Sequence, residues 1–333
     1  MTTIKEVAAR AGVSQATVSR VLNGNPRVSA VNRQRVEAAI QELGYRPNTL
    51  AKSLVTRRTH SAGMIVGSLG GPFYGDIMHE AERVLSRAGI HLIVTAGNDH
   101  LEEERSAVEF LLERRCDCLI LHVNELPDHE LARLAQDGPP LIIINRLLPE
   151  HAAHCIWLDN EKGAYLATRH LLERGHRHIA CIAGPADKCD SNERIAGYRR
   201  ALHDFGVTYR PEWLVHGHFA ENGGYEAARV LLSRQSDITA AFCANDFIAV
   251  SAMEAFREAG LSVPDDISVV GFDDVMFTRH VMPRLTTIHF PVREMGRRAG
   301  LLALHLMGMA EGEAASGRLQ PELVVRASTR SLG

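Results

Sequence analysis

From residue 62 onward, short apolar runs alternate with longer stretches in which apolar residues recur at helical spacing. The apolar runs are nearly continuous, as expected for strands that are buried on both faces of a parallel sheet. The predicted strands cover residues 63–69, 91–96, 118–123, 141–145, 179–184, 240–245 and 267–273. The predicted helices between them include residues 76–88, 102–115, 162–174 and 246–259. Repeated strand–helix units predict an α/β body, and two parallel sheets fit its length better than one sheet of nine strands.

The beginning of the chain has a helical pattern without strands. Residues 4–11 carry apolar side chains at helical spacing, Thr3 can cap their start with Glu6 three residues on, and Gly12 can end the helix. Ser14 then opens a second short helix whose apolar side chains again repeat at helical spacing. Two short helices joined by a turn that contains glycine predict a helix-turn-helix.

A third amphipathic helix is predicted over residues 29–43, and charge sets this whole region apart. Residues 1–60 hold ten basic and three acidic side chains, a net charge of +7, whereas the remaining residues carry −10. A compact basic module on an acidic body is typical of a protein that binds a polyanion with one part and something else with the other.

The stretch from Ala11 to Leu54 resembles the headpiece of the lactose/galactose repressor family. It matches the pattern A-G-V-S-x-x-T-V-S-R-V-L-N and then G-Y-x-P-N-x-x-A-x-x-L without a gap. The resemblance implies a helix-turn-helix DNA-binding domain over residues 1–46 and, over residues 47–60, a hinge helix that forms on DNA. The alternative for residues 46–58 is a flexible linker. A homodimer on double-stranded operator DNA is expected, because a single head buries too little surface for tight specific binding.

By the same resemblance, the start of the second helix enters the major groove. Gln15, Ala16 and Arg20 would contact base edges. Gln15 and Arg20 can form paired hydrogen bonds with a base, so they would make most of the sequence-specific contacts. The phosphate contacts would come from Ser14, Thr17, Ser19 and Asn23. Ala51 and Leu54 of the hinge helix would enter the minor groove, with Leu54 as a wedge between base steps. For Thr17 and Ser19, plain helix surface is an equal alternative.

The body also resembles this family and the periplasmic sugar-binding proteins that share its fold. This implies two lobes around a small effector, an N-lobe of about residues 61–160 and 291–320 and a C-lobe of about residues 161–290 and 321–333. In open α/β sheets, ligands lie beyond the carboxyl ends of the strands. That rule nominates the residues that end predicted strands: Ser68, His122, Asn145, Asn245, Asp246 and Asp273.

The expected effector site combines this rule with the family motifs. It comprises Phe73, Tyr74, Asn145, Arg194, Phe219, Asn245 and Asp273. Carboxylate, amide and guanidinium groups pair with vicinal hydroxyls, and an aromatic face suits the apolar side of a sugar ring. Two alternatives are that Phe73 belongs to the core and that Asp274 only caps the next turn.

The identity of the sugar stays open at this point. Residues 144–149 and the segment that follows resemble the galactose repressor branch of the family, which favours galactose or a galactoside as the effector of a repressor of sugar-utilisation genes. Residues 102–117 resemble the β-glucoside repressors equally well. The sign of the coupling between effector and operator is not fixed by the sequence.

Other classes of protein fit less well. The segment Gly67–Gly71 departs from both the dinucleotide and the phosphate-loop patterns, so a nucleotide-binding α/β enzyme is a distant alternative and we expect no enzymatic activity and no cofactor. No apolar run approaches the ~18 residues of a membrane helix, and the start of the chain lacks a secretory pattern, so a cytoplasmic protein without a membrane partner is expected. The six cysteines are expected to be reduced and buried, without a metal at Cys116 and Cys118.

Overall fold

The computed structural model describes residues 2–22, 24–45, 58–234, 237–311 and 315–332, and it divides into two compact units, residues 1–59 and 60–333. None of the helices within these ranges is long and apolar enough to cross a membrane.

The described part of the first unit contains the three predicted helices. They are α1 (Ile4–Ala11), α2 (Gln15–Leu22) and α3 (Ala30–Leu43). The cap of α1 is confirmed: the backbone of Glu6 donates to the Thr3 hydroxyl, the Glu6 carboxylate accepts from the Thr3 backbone, and Gly12 ends the helix in the left-handed conformation. The three helices pack around a small core, whose buried side chains are Val7, Ala8, Ala11, Val18, Val21, Val36 and Ala39.

The second unit consists of two six-stranded sheets with helices around them, which confirms the predicted α/β fold. Its strands are β1 (Ser61–Val66), β2 (His91–Ala96), β3 (Cys118–Leu121), β4 (Leu141–Ile144), β5 (Cys155–Leu158), β6 (Ile179–Ala183), β7 (Leu214–His216), β8 (Ala240–Cys243), β9 (Ser268–Asp273), β10 (Thr286–His289), β11 (Gly317–Leu319) and β12 (Glu322–Val324). Its helices are α4 (Pro72–Arg87), α5 (Leu101–Glu113), α6 (Asp128–Asp137), α7 (Asn160–Glu173), α8 (Cys189–Asp204), α9 (Tyr225–Ser233), α10 (Asp246–Glu258) and α11 (Val292–Leu306).

Each sheet forms the centre of one lobe. The N-lobe sheet has the order β11-β5-β4-β3-β1-β2 and the C-lobe sheet the order β12-β10-β9-β8-β6-β7. All neighbours are parallel, as expected, except β10 and β12, which run antiparallel at the edge of the C-lobe sheet. Helices cover both faces of each sheet, so the inner strands β1, β3, β4, β6, β8 and β9 are buried along their whole length. The edge strands β2, β7, β11 and β12 are partly exposed.

The chain passes between the lobes three times. It crosses after β5, again between β10 and α11, and finally between β11 and β12. After the second crossing α11 packs against α4 of the N-lobe, where Gly296 lies against the backbone of Ile77. The three crossings therefore connect the two sheets along one side, and the carboxyl ends of their strands meet at the cleft between the lobes.

The expectation that all six cysteines are buried is corrected. Five cysteines are buried, but Cys189 at the start of α8 is exposed. His176, which stands in a hydrophilic stretch of sequence, is fully buried and bonded to Thr239 and to the carbonyl of Arg330. No cluster of three or more potential metal ligands occurs among the residues that the structure describes.

Candidate functional sites

Helix α2 of the first unit presents the predicted DNA-reading side chains. Gln15, Ala16 and Arg20 are exposed, whereas Thr17 and Ser19 are half-buried. The hydroxyl of Ser14 accepts the backbone N–H of Thr17 at 3.1 Å and lies 2.9 Å from the Thr17 hydroxyl, so Ser14 caps the helix. The predicted residues Asn23, Ala51 and Leu54 lie outside the described residues.

A cavity of about 800 Å³ lies between the two lobes of the second unit, and all seven predicted effector residues line it. Phe73, Tyr74 and Asn145 come from the N-lobe, and the C-lobe supplies the other four. Both lobes contribute at the carboxyl ends of their strands, where parallel α/β sheets place ligands. Of the other strand-end nominations, Ser68 and His122 also line the cavity.

Arg194 and Asp273 form the charged centre of the cavity. The guanidinium of Arg194 is buried, donates to Asn160 Oδ1 at 3.0 Å and to the carbonyl of Ala244 at 2.5 Å, and stacks 3.9 Å from the centre of the Phe272 ring. Its Nη1 lies 3.8 Å from Asp273 Oδ1, which is buried and has no hydrogen-bond partner among the described residues. Arg194 is therefore fixed by the protein, while Asp273 keeps an acceptor for a ligand.

Burial raises the pKa of Asp273 to about 7, although the positive charge of Arg194 acts in the opposite direction. The residue also adopts a left-handed backbone conformation with φ of +109°, and the next residue, Asp274, has φ of +56°. Strained backbone of this kind is held in place by its surroundings and clusters at functional sites.

His122 and Asn145 form a polar pair on the N-lobe side. Asn145 Nδ2 lies 3.4 Å from His122 Nε2. With the amide donating, the imidazole proton is on Nδ1. Both His122 Nδ1 and Asn145 Oδ1 are buried and have no hydrogen-bond partner within the described part of the chain. Burial lowers the pKa of His122, which keeps the ring neutral. The pair thus offers one donor and one acceptor to a ligand.

Aromatic side chains complete the walls. Phe73 makes edge contacts with Tyr74 and Phe290, each with ring centres 5.2 Å apart, so it both lines the cavity and packs on the core. Phe219 lies against Gly184, where a Cβ atom would approach the ring to 2.3 Å. Glycine at this position is what allows the ring of Phe219 to lie over the end of β6.

Three of the polar residues at strand ends have structural roles. Asn245 caps α10 by accepting from Ile248, and its amide donates to the carbonyl of Phe219. Asp246 is fully buried, where its carboxylate accepts from the Val275 backbone and the Thr287 hydroxyl, and it does not line the cavity. Asp274 does more than cap a turn, because it binds Arg326, Arg279 and His289. Burial would raise the pKa of Asp274, but these partners outweigh it and lower the pKa to about 2.

The cavity also contains residues that the sequence analysis did not find. Asp190 lies one helical turn before Arg194, with its Oδ2 3.9 Å from Arg194 Nη2, and this spacing of four was a usable signal. Asp99 and Lys188 also line the cavity, from opposite lobes. Each lies in the loop after a predicted strand, residues 91–96 and 179–184, whose end gave no nominated residue.

Each of the two units of the chain matches a known protein family. Residues 3–48 match the model of the bacterial regulatory proteins of the lacI family, and residues 168–329 match that of the periplasmic binding protein-like domain. The chain is 40% identical over 306 residues to the HTH-type transcriptional regulator GalR of Escherichia coli K12, covering 92% of this chain and 89% of the relative. It is 36% identical to the HTH-type transcriptional repressor PurR of Aliivibrio fischeri MJ11, covering 98% of each chain. The solved structure of the lac repressor dimer bound to operator and the anti-inducer ONPF matches with a TM-score of 0.88 at 31% identity, covering 99% of each chain.

Proposed function

The chain belongs to the LacI family of bacterial regulatory proteins and is a DNA-binding transcriptional repressor rather than an enzyme; from this we propose that a neutral sugar bound between its lobes controls its affinity for operator DNA. The observation that carries the proposal is the cavity itself. It joins buried, unpartnered polar atoms from both lobes with aromatic walls. Hydroxyl groups of a sugar ring both donate and accept, so a sugar can pair with donors and with acceptors.

The charges of the cavity argue for a neutral ligand. Its lining includes five aspartates and glutamates, Asp99, Asp187, Asp190, Glu221 and Asp273, against one lysine and one arginine, Lys188 and Arg194. Arg194 is already held by Asn160 and the Ala244 carbonyl, and Lys188 by Glu125. A sugar phosphate or a sugar acid would therefore meet excess negative charge without a free cation to pair with it.

Within this class we propose D-galactose or a galactoside. The support is the identity of 40% to GalR and the resemblance of residues 144–149 to the galactose branch. A β-glucoside is the alternative from the same family, and the similarity to PurR adds a purine base as a third. One axial hydroxyl separates galactose from glucose, and a site rejects the wrong epimer when a buried group is left unpaired.

Titration calorimetry of the full chain against galactose, glucose, cellobiose, salicin, ribose and a purine base tests the assignment. We expect binding of galactose and its loss in Asp273→Ala. Binding of cellobiose or salicin without a galactose signal transfers the assignment to the β-glucosides, and purine binding refutes the sugar. Unchanged affinity in Asp273→Ala would mean that the ligand binds elsewhere.

We also propose that the protein binds DNA as a homodimer, with one helix-turn-helix domain on each half of a roughly palindromic operator. Gln15 and Arg20 read bases, Ala16 contributes a methyl contact, and Ser14, Thr17, Ser19 and Asn23 contact phosphates. Ala51 and the wedge Leu54 act in the minor groove. Leu54→Ala should weaken binding to a selected operator much more than to random duplex DNA in gel-shift assays. Equal losses on both DNAs would show that Leu54 is not a wedge.

A further inference from the structure

Lys188 of the C-lobe makes an ion pair with Glu125 of the N-lobe, next to the effector cavity. The Nζ–Oε1 distance is 2.5 Å, and Nζ also lies 3.5 Å from the carbonyl of Asp99. The side chain of Lys188 is 8% exposed and that of Glu125 29%, so the pair is largely removed from water. This contact joins the two lobes directly, in addition to the three crossings of the chain.

The N-lobe partner has a rigid support. The buried carboxylate of Glu104 accepts the backbone N–H groups of Asn124, Glu125 and Leu126 at 2.8–3.0 Å. The side chain of Asn124 in turn donates to Asp99 at 2.8 Å. The loop that carries Glu125 is therefore fixed at its backbone, which reduces the entropy lost when the ion pair forms.

The C-lobe partner is tied to the residues that contact the effector. Lys188 is the residue just before α8, the helix that carries Asp190 and Arg194. Burial would lower the pKa of Lys188, but Glu125 and the nearby Asp99 raise it above its ordinary value, so the ammonium keeps its charge. Any change in the distance between the lobes must separate this pair or move the start of α8.

We propose that Lys188 and Glu125 are positioning residues that hold the two walls of the cavity together and thereby raise the affinity for the effector. A ligand that touches both lobes binds only when they are close, so its apparent Kd equals the intrinsic Kd divided by the populated fraction of that arrangement. The pair increases this fraction. The effect on affinity rests on the proposed function, whereas the effect on the lobes does not.

The first experiment measures the lobes without ligand. Hydrogen exchange of the full chain, followed by mass spectrometry, compares the parent with Lys188→Met, Glu125→Gln and the double variant. We expect about tenfold faster exchange in peptides over residues 97–104 and 184–190 for either single variant, with no further increase in the double variant. The charge swap Lys188→Glu with Glu125→Lys should restore most of the protection, and peptides remote from the cleft should exchange as in the parent in every variant, which shows that the substituted chains fold.

The matched control is Glu130→Gln. Glu130 pairs with Arg105 within the N-lobe at 2.6 Å and is as exposed as Glu125, at 29%. It should leave both cleft peptides unchanged. Exchange within twofold of the parent in both single variants, or the same increase in the control, would overturn the proposal.

The second experiment titrates the same variants with D-galactose by calorimetry. Each single variant should raise Kd about tenfold, the double variant no more than either single one, and the charge swap should return Kd to within about threefold of the parent. Additive losses, or a swap that binds no better than the double variant, would refute the role in affinity. If the parent binds no galactose but the exchange results stand, the proposed effector is wrong and the pairing of the lobes is not.

Discussion

The binding of the effector should weaken as the pH falls through about 7, because the site depends on the carboxylate of Asp273. Burial raises the pKa of this group to about 7, against the influence of Arg194. Hydroxyl donors bind an ionised carboxylate more strongly than a protonated one. The ligand therefore prefers the ionised form, and protonation competes with it.

The magnitude follows from the titration of one group. With a pKa of about 7, Asp273 is ionised in about nine-tenths of the molecules at pH 8 and in about one-tenth at pH 6. If only the ionised form binds, Kd rises about tenfold between these pH values. At pH 7 about half of the molecules carry the proton, so binding should release about half a proton for each ligand.

Calorimetry with D-galactose at pH 6, 7 and 8, in buffers that differ in ionisation enthalpy, measures both quantities. Asp273→Asn removes the titrating group while it keeps the shape of the side chain, so its weaker binding should not depend on pH. Asp265→Asn, an exposed carboxylate on the same lobe and outside the cavity, is the matched control and should retain the parent's profile. A parent whose Kd is the same at pH 6 and pH 8, or a pH dependence that survives in Asp273→Asn, would refute the reasoning.

Three further predictions concern the DNA-reading helix and the stability of the fold. Arg20→Ala should reduce the discrimination between a selected operator and a scrambled duplex by about 1–3 kcal/mol in fluorescence anisotropy. Arg35→Ala, which removes an exposed arginine on α3, is the control and should leave this discrimination unchanged. Equal losses of affinity for both duplexes in Arg20→Ala would mean that Arg20 only contacts phosphate. Burial lowers the pKa of His170 to about 4, below its unfolded value of about 6.5, so the unfolded chain takes up a proton first as the pH falls. Its contribution to stability is thus lost on acidification, and between pH 7.5 and 5.5 the parent should lose about 1 kcal/mol more in urea unfolding than His170→Gln; the same loss in both would contradict this. Gly197→Ala should lower stability by about 3 kcal/mol and depress the Tm, because the new Cβ would lie 2.0 Å from the Glu161 carbonyl and force α7 and α8 apart; an unchanged Tm would show that these helices adjust freely.

The central strands of both sheets could be predicted from the sequence, because burial on both faces leaves an unbroken apolar run. The strands that were missed lack this signal for identifiable reasons. Residues 155–158 follow β4 after only the short 3-10 helix Pro149–His154, where a parallel connection usually has a full helix. Residues 286–289 read as polar, yet Thr286 and Thr287 are fully buried because the backbone of Arg326 and the carboxylate of Asp246 bind their hydroxyls. Strands β7 and β11 have three residues each, too few for a period.

The residues of the candidate site could also be predicted only in part. The rule that ligands lie at the carboxyl ends of strands nominated Asn145, Asn245 and Asp273 from local sequence, and all three line the cavity. The same rule nominated Asp246, whose carboxylate instead bonds to Thr287 and to the Val275 backbone. The contact between Lys188 and Glu125 joins residues 63 apart in two different lobes, and no local pattern could indicate it.

The buried atoms without partners explain why the sequence could suggest a sugar but could not choose among sugars. His122, Asn145 and Asp273 line the cavity, and each has a buried atom without a hydrogen-bond partner among the described residues, namely Nδ1, Oδ1 and Oδ1 in that order. Each such unpaired group costs about 1–3 kcal/mol. The first two belong to the N-lobe and the third to the C-lobe, so a ligand that pairs with all three must touch both lobes at once. Such a ligand regains the lost hydrogen bonds only when the lobes have one particular separation. The relative positions of these three atoms therefore decide which pattern of hydroxyl groups binds. They also decide which arrangement of the lobes the ligand stabilises. The effector acts through that arrangement and not through the area of its contacts.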